Sequence, residues 1–233
     1  MATSFYNDDC LKVLPTIPDH SVDLIITSPP YEDISGAGYT SYSRDILFLK
    51  LYSDFINNVF NQYYRILKPN GQIFFNIKSK TMNKSLKTPH WIEFTESFQQ
   101  FMFKSYIIWK YSGSFDSTKS RFHLDYEIIY HLSKGNDIHI NHKTKIHDPL
   151  SSVWYIPHSI KKEERVHPTQ MPIGLVDHIL KIVGREGDTV LDNFMGSGTT
   201  GVACKNHNIN FIGIELNKKY FDIAKDRING HFI

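Results

Sequence analysis

The sequence predicts an α/β protein built around a mostly parallel sheet, and three observations carry that reading. Short apolar runs of strand length alternate with longer stretches of helical period. Several of the runs stop at turn formers, as residues 22–26 do at Ser28-Pro29-Pro30. A Gly-rich turn sits between a strand-like segment at 189–191 and a short helical one, as where open α/β sheets take nucleotides.

The elements follow in order. Val22-Asp23-Leu24-Ile25-Ile26 is an apolar run of strand length and reads as buried. Residues 46–67 carry Phe48, Tyr52, Phe55, Ile56, Val59, Tyr63 and Ile66 three or four apart, which makes one long amphipathic helix, stopped by Pro69-Asn70-Gly71. Residues 72–77 return as a strand. Residues 91–103 read as a helix, and 106–109 and 127–131 as strands. Pro172 opens a helix with Leu175, Val176, Ile179, Leu180 and Val183 on one face, closed by Gly184. Strand 189–191, the Gly-rich turn, a short helix, strand 211–214 and a last helix at 218–228 complete the chain.

Composition sets the limits. With 233 residues, 41% of them hydrophobic and 21% charged, the chain suits one domain over 1–233 and excludes wholesale disorder. The less regular stretch at 111–165 reads as an insertion in it. Cys10 and Cys204 stand far apart, against a disulfide framework or a Cys-rich zinc site and in favour of a reducing cytoplasm. No apolar stretch reaches the roughly 18 residues of a membrane span, so a soluble cytoplasmic protein with no membrane role is expected. Net charge is only +2, so basic patches are local. Residues 104–167 hold ten Lys/Arg against seven Asp/Glu, and Lys78, Lys80, Lys84 and Lys87 have no acid among them. Solvated loop lysines would look the same; a neighbouring nucleotide site would make them a nucleic-acid surface. The histidines at 123, 131, 139, 142 and 147 match no standard metal spacing, so no metal is expected.

Two motifs carry chemistry. In Asp192-Asn193-Phe194-Met195-Gly196-Ser197-Gly198-Thr199-Thr200-Gly201, glycines let the backbone pass close to a ligand ahead of a helix start. Glu215 closes the next strand, seventeen residues beyond Gly198, where a ribose-binding carboxylate belongs. A tight strand–helix turn with a surface glutamate would share the glycines, but not the strand, helix and acid together. On residues alone the ligand is NAD or S-adenosylmethionine, so an NAD-binding Rossmann enzyme stays open. The second motif is Thr27-Ser28-Pro29-Pro30-Tyr31, directly after the first buried strand. Its prolines lack N–H donors and hold their carbonyls as rigid acceptors. With a hydroxyl and an aromatic face, these suit a planar base bearing an exocyclic amine; a Pro-rich turn with a core tyrosine is the plainer alternative.

Ser-Pro-Pro-Tyr, then His167-Pro168-Thr169-Gln170-Met171-Pro172, then Asp192-x-Phe194-x-Gly196-Ser197-Gly198-Thr199-Thr200, in that order, resemble the beta class of amino-DNA methyltransferases of restriction-modification systems. Asp9-Cys10-Leu11, Leu67-Lys68-Pro69-Asn70-Gly71 and Ile212-Gly213-Ile214-Glu215 support the likeness, which spans all but roughly 111–165. Asn193 departs from it, since that class usually has proline there.

The resemblance implies a Rossmann-like methyltransferase fold: a mostly parallel seven-stranded sheet, helices on both faces, and target recognition at 111–165. It implies S-adenosylmethionine as cofactor. Asp192, Phe194 and the turn Gly196, Ser197, Gly198, Thr199 and Thr200 would surround its methionine and sugar. Glu215 would take the ribose hydroxyls, Asp9 would face the adenine amine, Pro168 and Thr169 would close the methionine end, and Thr27 would border the site. Ser28, Pro29, Pro30 and Tyr31 would form the catalytic pocket. The substrate would be double-stranded DNA and the product N4-methylcytosine, with adenine N6 as the alternative, since Ser at position 28 is typical of the cytosine enzymes. A cognate endonuclease or companion methyltransferase and a homodimer fit the same class. Neither cysteine follows a proline as a C5-cytosine nucleophile would.

Overall fold

The computed structural model describes residues 1–30, 46–77, 81–82, 85–86, 98–111, 125–146, 148–157, 166–167 and 169–230. Its strands are β1 (Thr3–Tyr6), β2 (Val22–Thr27), β3 (Leu67–Ile77), β4 (Thr81–Met82), β5 (Ser85–Leu86), β6 (Met102–Lys110), β7 (Tyr126–Ser133), β8 (Val153–Tyr155), β9 (Thr189–Asp192) and β10 (Asn210–Ile214). Its helices are α1 (Cys10–Val13), α2 (Ile46–Ile66), α3 (Ile173–Val183), α4 (Thr199–Asn206) and α5 (Lys218–Asn229).

Among the described residues eight strands make the main sheet, in the order β1-β10-β9-β2-β3-β7-β6-β8; β4 and β5 pair apart from it. From β1 to β3 every neighbour is parallel, β7 is antiparallel to both β3 and β6, and β8 is parallel to β6. The sheet thus has one strand more than the seven expected. Two strands carried no readable period: β8, three residues held by the buried Trp154, and β1, which pairs with β10 through Thr3↔Phe211 to Tyr6↔Ile214.

Helices cover both faces. On one, Tyr52, Ile56, Val59, Phe60, Tyr63 and Ile66 of α2 pack against Ile25, Ile73, Phe75 and Leu191. On the other, Leu175, Val176, Ile179 and Leu180 of α3 meet Leu24, Ile26, Phe74 and Val190, together with Ala203 of α4 and Ala224 and Ile228 of α5. The spacing of apolar residues in α2 and α3 forms these seams.

Two boundaries differ from the sequence reading. β3 starts at Leu67, straight after α2, and runs through Pro69-Asn70-Gly71, with an irregular register opposite Val22 and Leu24. The helix expected at 91–103 has given way by Met102, because β6 pairs with β7 from Met102↔Ser133 to Lys110↔Tyr126 and that ladder outweighs local period; residues 91–97 lie outside the described ones. The 111–165 stretch supplies β7 and β8 to the sheet. Among the described residues no helix is long and apolar enough to cross a membrane.

Candidate active site

Because β1, β10, β9, β2 and β3 run parallel, their carboxyl ends open on one side, where open α/β sheets bind ligands. Asp9 follows β1, Ser28-Pro29-Pro30 follows β2, Asp192 ends β9 and Glu215 follows β10. One topology therefore gathers residues separated by more than two hundred positions, from Asp9 to Glu215.

Asp192 is the buried hub. Its carboxylate accepts from Thr27 Oγ1 at 2.7 Å, from Thr200 Oγ1 at 2.7 Å and from the Phe194 N–H at 3.2 Å. Burial pushes its pKa up to about 6, against the lowering effect of those three bonds. Thr27 and Thr200 thus spend their hydroxyls on Asp192, and the bond from Thr27 joins the end of β2 to the Gly-rich turn.

The turn and its acid hold each other. Glu215 Oε2 accepts the Gly196 N–H at 2.9 Å, and Oε1 accepts the Asn217 N–H at 2.8 Å. Burial raises the Glu215 pKa, opposed by these two bonds. Gly196 has φ +51° and Gly198 φ +81°, backbone that glycine adopts without strain. A Cβ on Gly198 would lie 2.8 Å from Ala224 Cβ, so the turn seats directly on α5. Arg227 of α5 donates to Ser197 O at 2.5 Å and to Ser197 Oγ at 3.0 Å, turning that serine towards the helix. Thr199 is buried, while half-buried Phe194 lies 6.0 Å from Phe55, ring centre to ring centre.

Asp9 caps α1, its Oδ1 accepting the Leu11 N–H at 2.9 Å. In the second motif Pro29 is buried, Ser28 and Pro30 half-buried. The Pro30 carbonyl accepts the Tyr52 hydroxyl of α2 at 2.8 Å, so that acceptor serves the scaffold. Tyr31 and Pro168 lie outside the described residues, as do Lys78, Lys80, Lys84, Lys87 and 112–124. Thr169 donates through both its N–H and its hydroxyl to His167 Nδ1, at 3.2 Å each.

His167 stood in a motif but in no assigned role. Its ring lies across Gly196, with Nε2 3.7 Å from where a Cβ would stand, and edge-on to Tyr220 at 4.2 Å. Burial lowers its pKa to about 4, so the imidazole is neutral at physiological pH. Asn193, in place of the usual proline, is buried and accepts the Tyr63 hydroxyl through Oδ1. Burial pushes the Cys10 thiol up to about 12 and raises Cys204 as well, so neither supplies a thiolate. Among the described residues no three His, Cys, Asp or Glu gather as a metal site.

Chemically, the edge offers a carboxylate (Glu215) whose oxygens each hold one N–H and retain lone pairs, a chemistry suited to vicinal sugar hydroxyls. A hydroxyl and a proline carbonyl stand one hydrogen bond away, across Thr27–Asp192.

The family model described as DNA methylase matches residues 22–226. The type II methyltransferase M.HpaI of Haemophilus parainfluenzae is 30% identical over 96% of this chain and 73% of its own. The DNA adenine methyltransferase YhdJ of Escherichia coli K12 is 29% identical over 98% and 83%. Among solved structures, the M1.HpyAVI–SAM complex superposes with a TM-score of 0.70 at 27% identity, covering 97% of this chain and 99% of that one. The cytosine-N4-specific PvuII DNA methyltransferase gives 0.82 at 18%, covering 97% and 86%.

Proposed function

The chain belongs to the DNA methylase family, and from that premise we propose that it methylates the exocyclic N4 amine of cytosine in duplex DNA. The observation that carries the reading is the Thr27–Asp192 hydrogen bond of 2.7 Å, which sets the Ser28-Pro29 turn against the Gly-rich turn. A methyl donor in one and an amine in the other would be neighbours.

The donor is S-adenosylmethionine, whose sulfonium supplies an electrophilic methyl. Glu215 would bind its ribose hydroxyls, Phe194 and the turn from Gly196 to Gly198 would border its methionine and sugar, and Asp9 would face its adenine amine. His167, with Pro168 and Thr169, would cover the methionine end. Ser197, Thr199 and Thr200 shape the turn from beneath.

An aromatic amine is a poor nucleophile because its lone pair is delocalised into the ring. Hydrogen bonds from its N–H groups to Ser28 Oγ and the Pro29 carbonyl would hold the nitrogen closer to tetrahedral. The freed lone pair would then be aimed in line at the methyl carbon, whose bond to sulfur breaks as the bond to nitrogen forms. The surplus amine proton would pass through its hydrogen-bonded acceptor to solvent, and positioning with fixed dipoles would supply most of the acceleration. The base must first leave the duplex, and Tyr31 is the surface on which it would stack. The basic stretches at 78–87 and 111–165 would hold phosphates, and a few side chains in the latter would read base edges. A companion endonuclease or second methyltransferase and a self-associated pair of chains fit this role.

Serine at position 28 favours cytosine: it is a neutral acceptor where adenine enzymes of the resembled class more often carry a charged aspartate. The likeness to an adenine methyltransferase supports N6 as the second reading. Mass spectrometry of nucleosides from DNA treated with enzyme and cofactor separates them. N4-methylcytosine is the expected product, and N6-methyladenine without it would overturn the cytosine assignment.

A further inference from the structure

One buried polar pair at the carboxyl edge has no part in the cofactor turn. Asn76 of β3 and Glu127 of β7 are only 5% and 6% exposed. Asn76 Nδ2 donates to Glu127 Oε2 at 2.9 Å. Asn76 Oδ1 is buried and has no hydrogen-bond partner among the described residues. Buried carbonyl oxygens without partners are rare, and each calls for an explanation. The amide cannot turn round to find one, because its oxygen would then face a carboxylate that only accepts.

The register shows what lies beside it. Thr27, the last residue of β2, is the partner of Phe75; continued one position past the strand, that register would bring Ser28 alongside Asn76. Strand alternation puts Asn76 on the face of Phe74, which also carries Ile26, Ile129 and Trp109. Two residues on from Ile26, Ser28 belongs to that face too. On that continuation Ser28, just past the end of β2, lines up with Asn76 and Glu127 on the adjacent strands β3 and β7, a polar row ending in the turn proposed as the target pocket.

We propose that Asn76, oriented by Glu127, positions the flipped base, its Oδ1 accepting one N–H of the exocyclic amine. This rests on the reading of Ser28-Pro29 as the target pocket. The amine has two N–H groups and meets three oxygens, of which only the hydroxyl carries a proton. Pro29 accepts one N–H, while Ser28 Oγ and Asn76 Oδ1 share the other, and the Ser28 proton turns to the ring nitrogen beside the amine. That nitrogen is an acceptor in cytosine and adenine alike, so the assignment holds for either product.

The test uses the full chain, tritiated S-adenosylmethionine and a duplex oligonucleotide at saturating concentration, read as single-turnover methyl transfer, with cofactor affinity measured by calorimetry. Asn76→Leu keeps the volume and removes the acceptor. It should retain cofactor affinity and lose transfer rate on the order of 10²-fold, as expected for a misplaced reacting group. The double variant Asn76→Asp/Glu127→Gln reverses donor and acceptor within the pair but keeps the bond between them and an oxygen towards the base. It should recover most of the rate, which a merely space-filling role would not require. A folded, cofactor-binding Asn76→Leu with unchanged rate overturns the proposal. Should that variant fail to fold, a folded, cofactor-binding double variant without transfer overturns it equally. Ser28→Ala separates the two readings: if it too keeps the full rate, the target pocket itself is misassigned, whereas a defect there alone sinks only Asn76.

Discussion

Replacing Asp192 by Asn tests whether the buried hub is held at a cost to the fold. The folded-state carboxyl keeps its proton to about pH 6, against an ordinary value of 3.8. That rise corresponds to roughly 3 kcal/mol of disfavour for the ionised form in the folded protein. Between about pH 4 and pH 6 the folded chain binds more protons here than the unfolded chain. Stability contributed at this site is therefore present below pH 4 and falls as pH rises through 6. Asparagine has nothing to ionise, and its amide still meets the Thr27 and Thr200 hydroxyls, which donate or accept as required. The stability of Asp192→Asn relative to wild type should thus grow by about 2 kcal/mol from pH 4 to pH 7, the rest of the shift lying below pH 4. Glu215, raised by burial in the same sense, is present in both proteins and largely cancels. Urea unfolding at pH 4, 5, 6 and 7 measures the gap. A gap that stays constant over this range would refute the claim that Asp192 is a desolvated carboxylate.

Glu215→Ala removes both N–H acceptors behind the turn and the carboxylate proposed for the ribose, so cofactor affinity should drop by about 1.5–3 kcal/mol. Calorimetric titration of the folded variant showing no change would remove Glu215 from the site. Gly198→Ala forces a left-handed backbone on alanine and drives its Cβ against Ala224, so it should destabilise by about 3 kcal/mol and lower the thermal midpoint. An unaltered midpoint would mean that α5 yields at no cost.

The parts of the fold with strong period were legible in the sequence. The apolar rows of α2 and α3 and the run at Val22 announced their elements, and the Gly-rich turn marked the strand–helix junction at β9 and α4. β1 and β8 were not, since four and three residues hold too little pattern and owe their form to β10 and β6. The extension of β6 back to Met102 reflects pairing with β7, a partner local spacing cannot reveal. At the candidate site the sequence named residue types but not who engages whom. Ser197, Thr200 and Thr27 stood among the ligand contacts, yet their hydroxyls meet Arg227 and Asp192. Asn76 did leave a trace, as a polar residue inside Phe74-Phe75-Asn76-Ile77, but its significance emerges only with Glu127 from a strand fifty residues on.

The bond from the Tyr52 hydroxyl to the Pro30 carbonyl bears on how such a protein can change its target over evolutionary time. It ties the stretch that follows β2 to α2, so the Ser28-Pro29-Pro30 turn is held by the helical layer and not only by its own strand. On the reading proposed above, that tether would keep the reacting groups in place while substitutions elsewhere in the chain try new contacts to the substrate. Specificity could then drift without the chemistry having to be rebuilt each time.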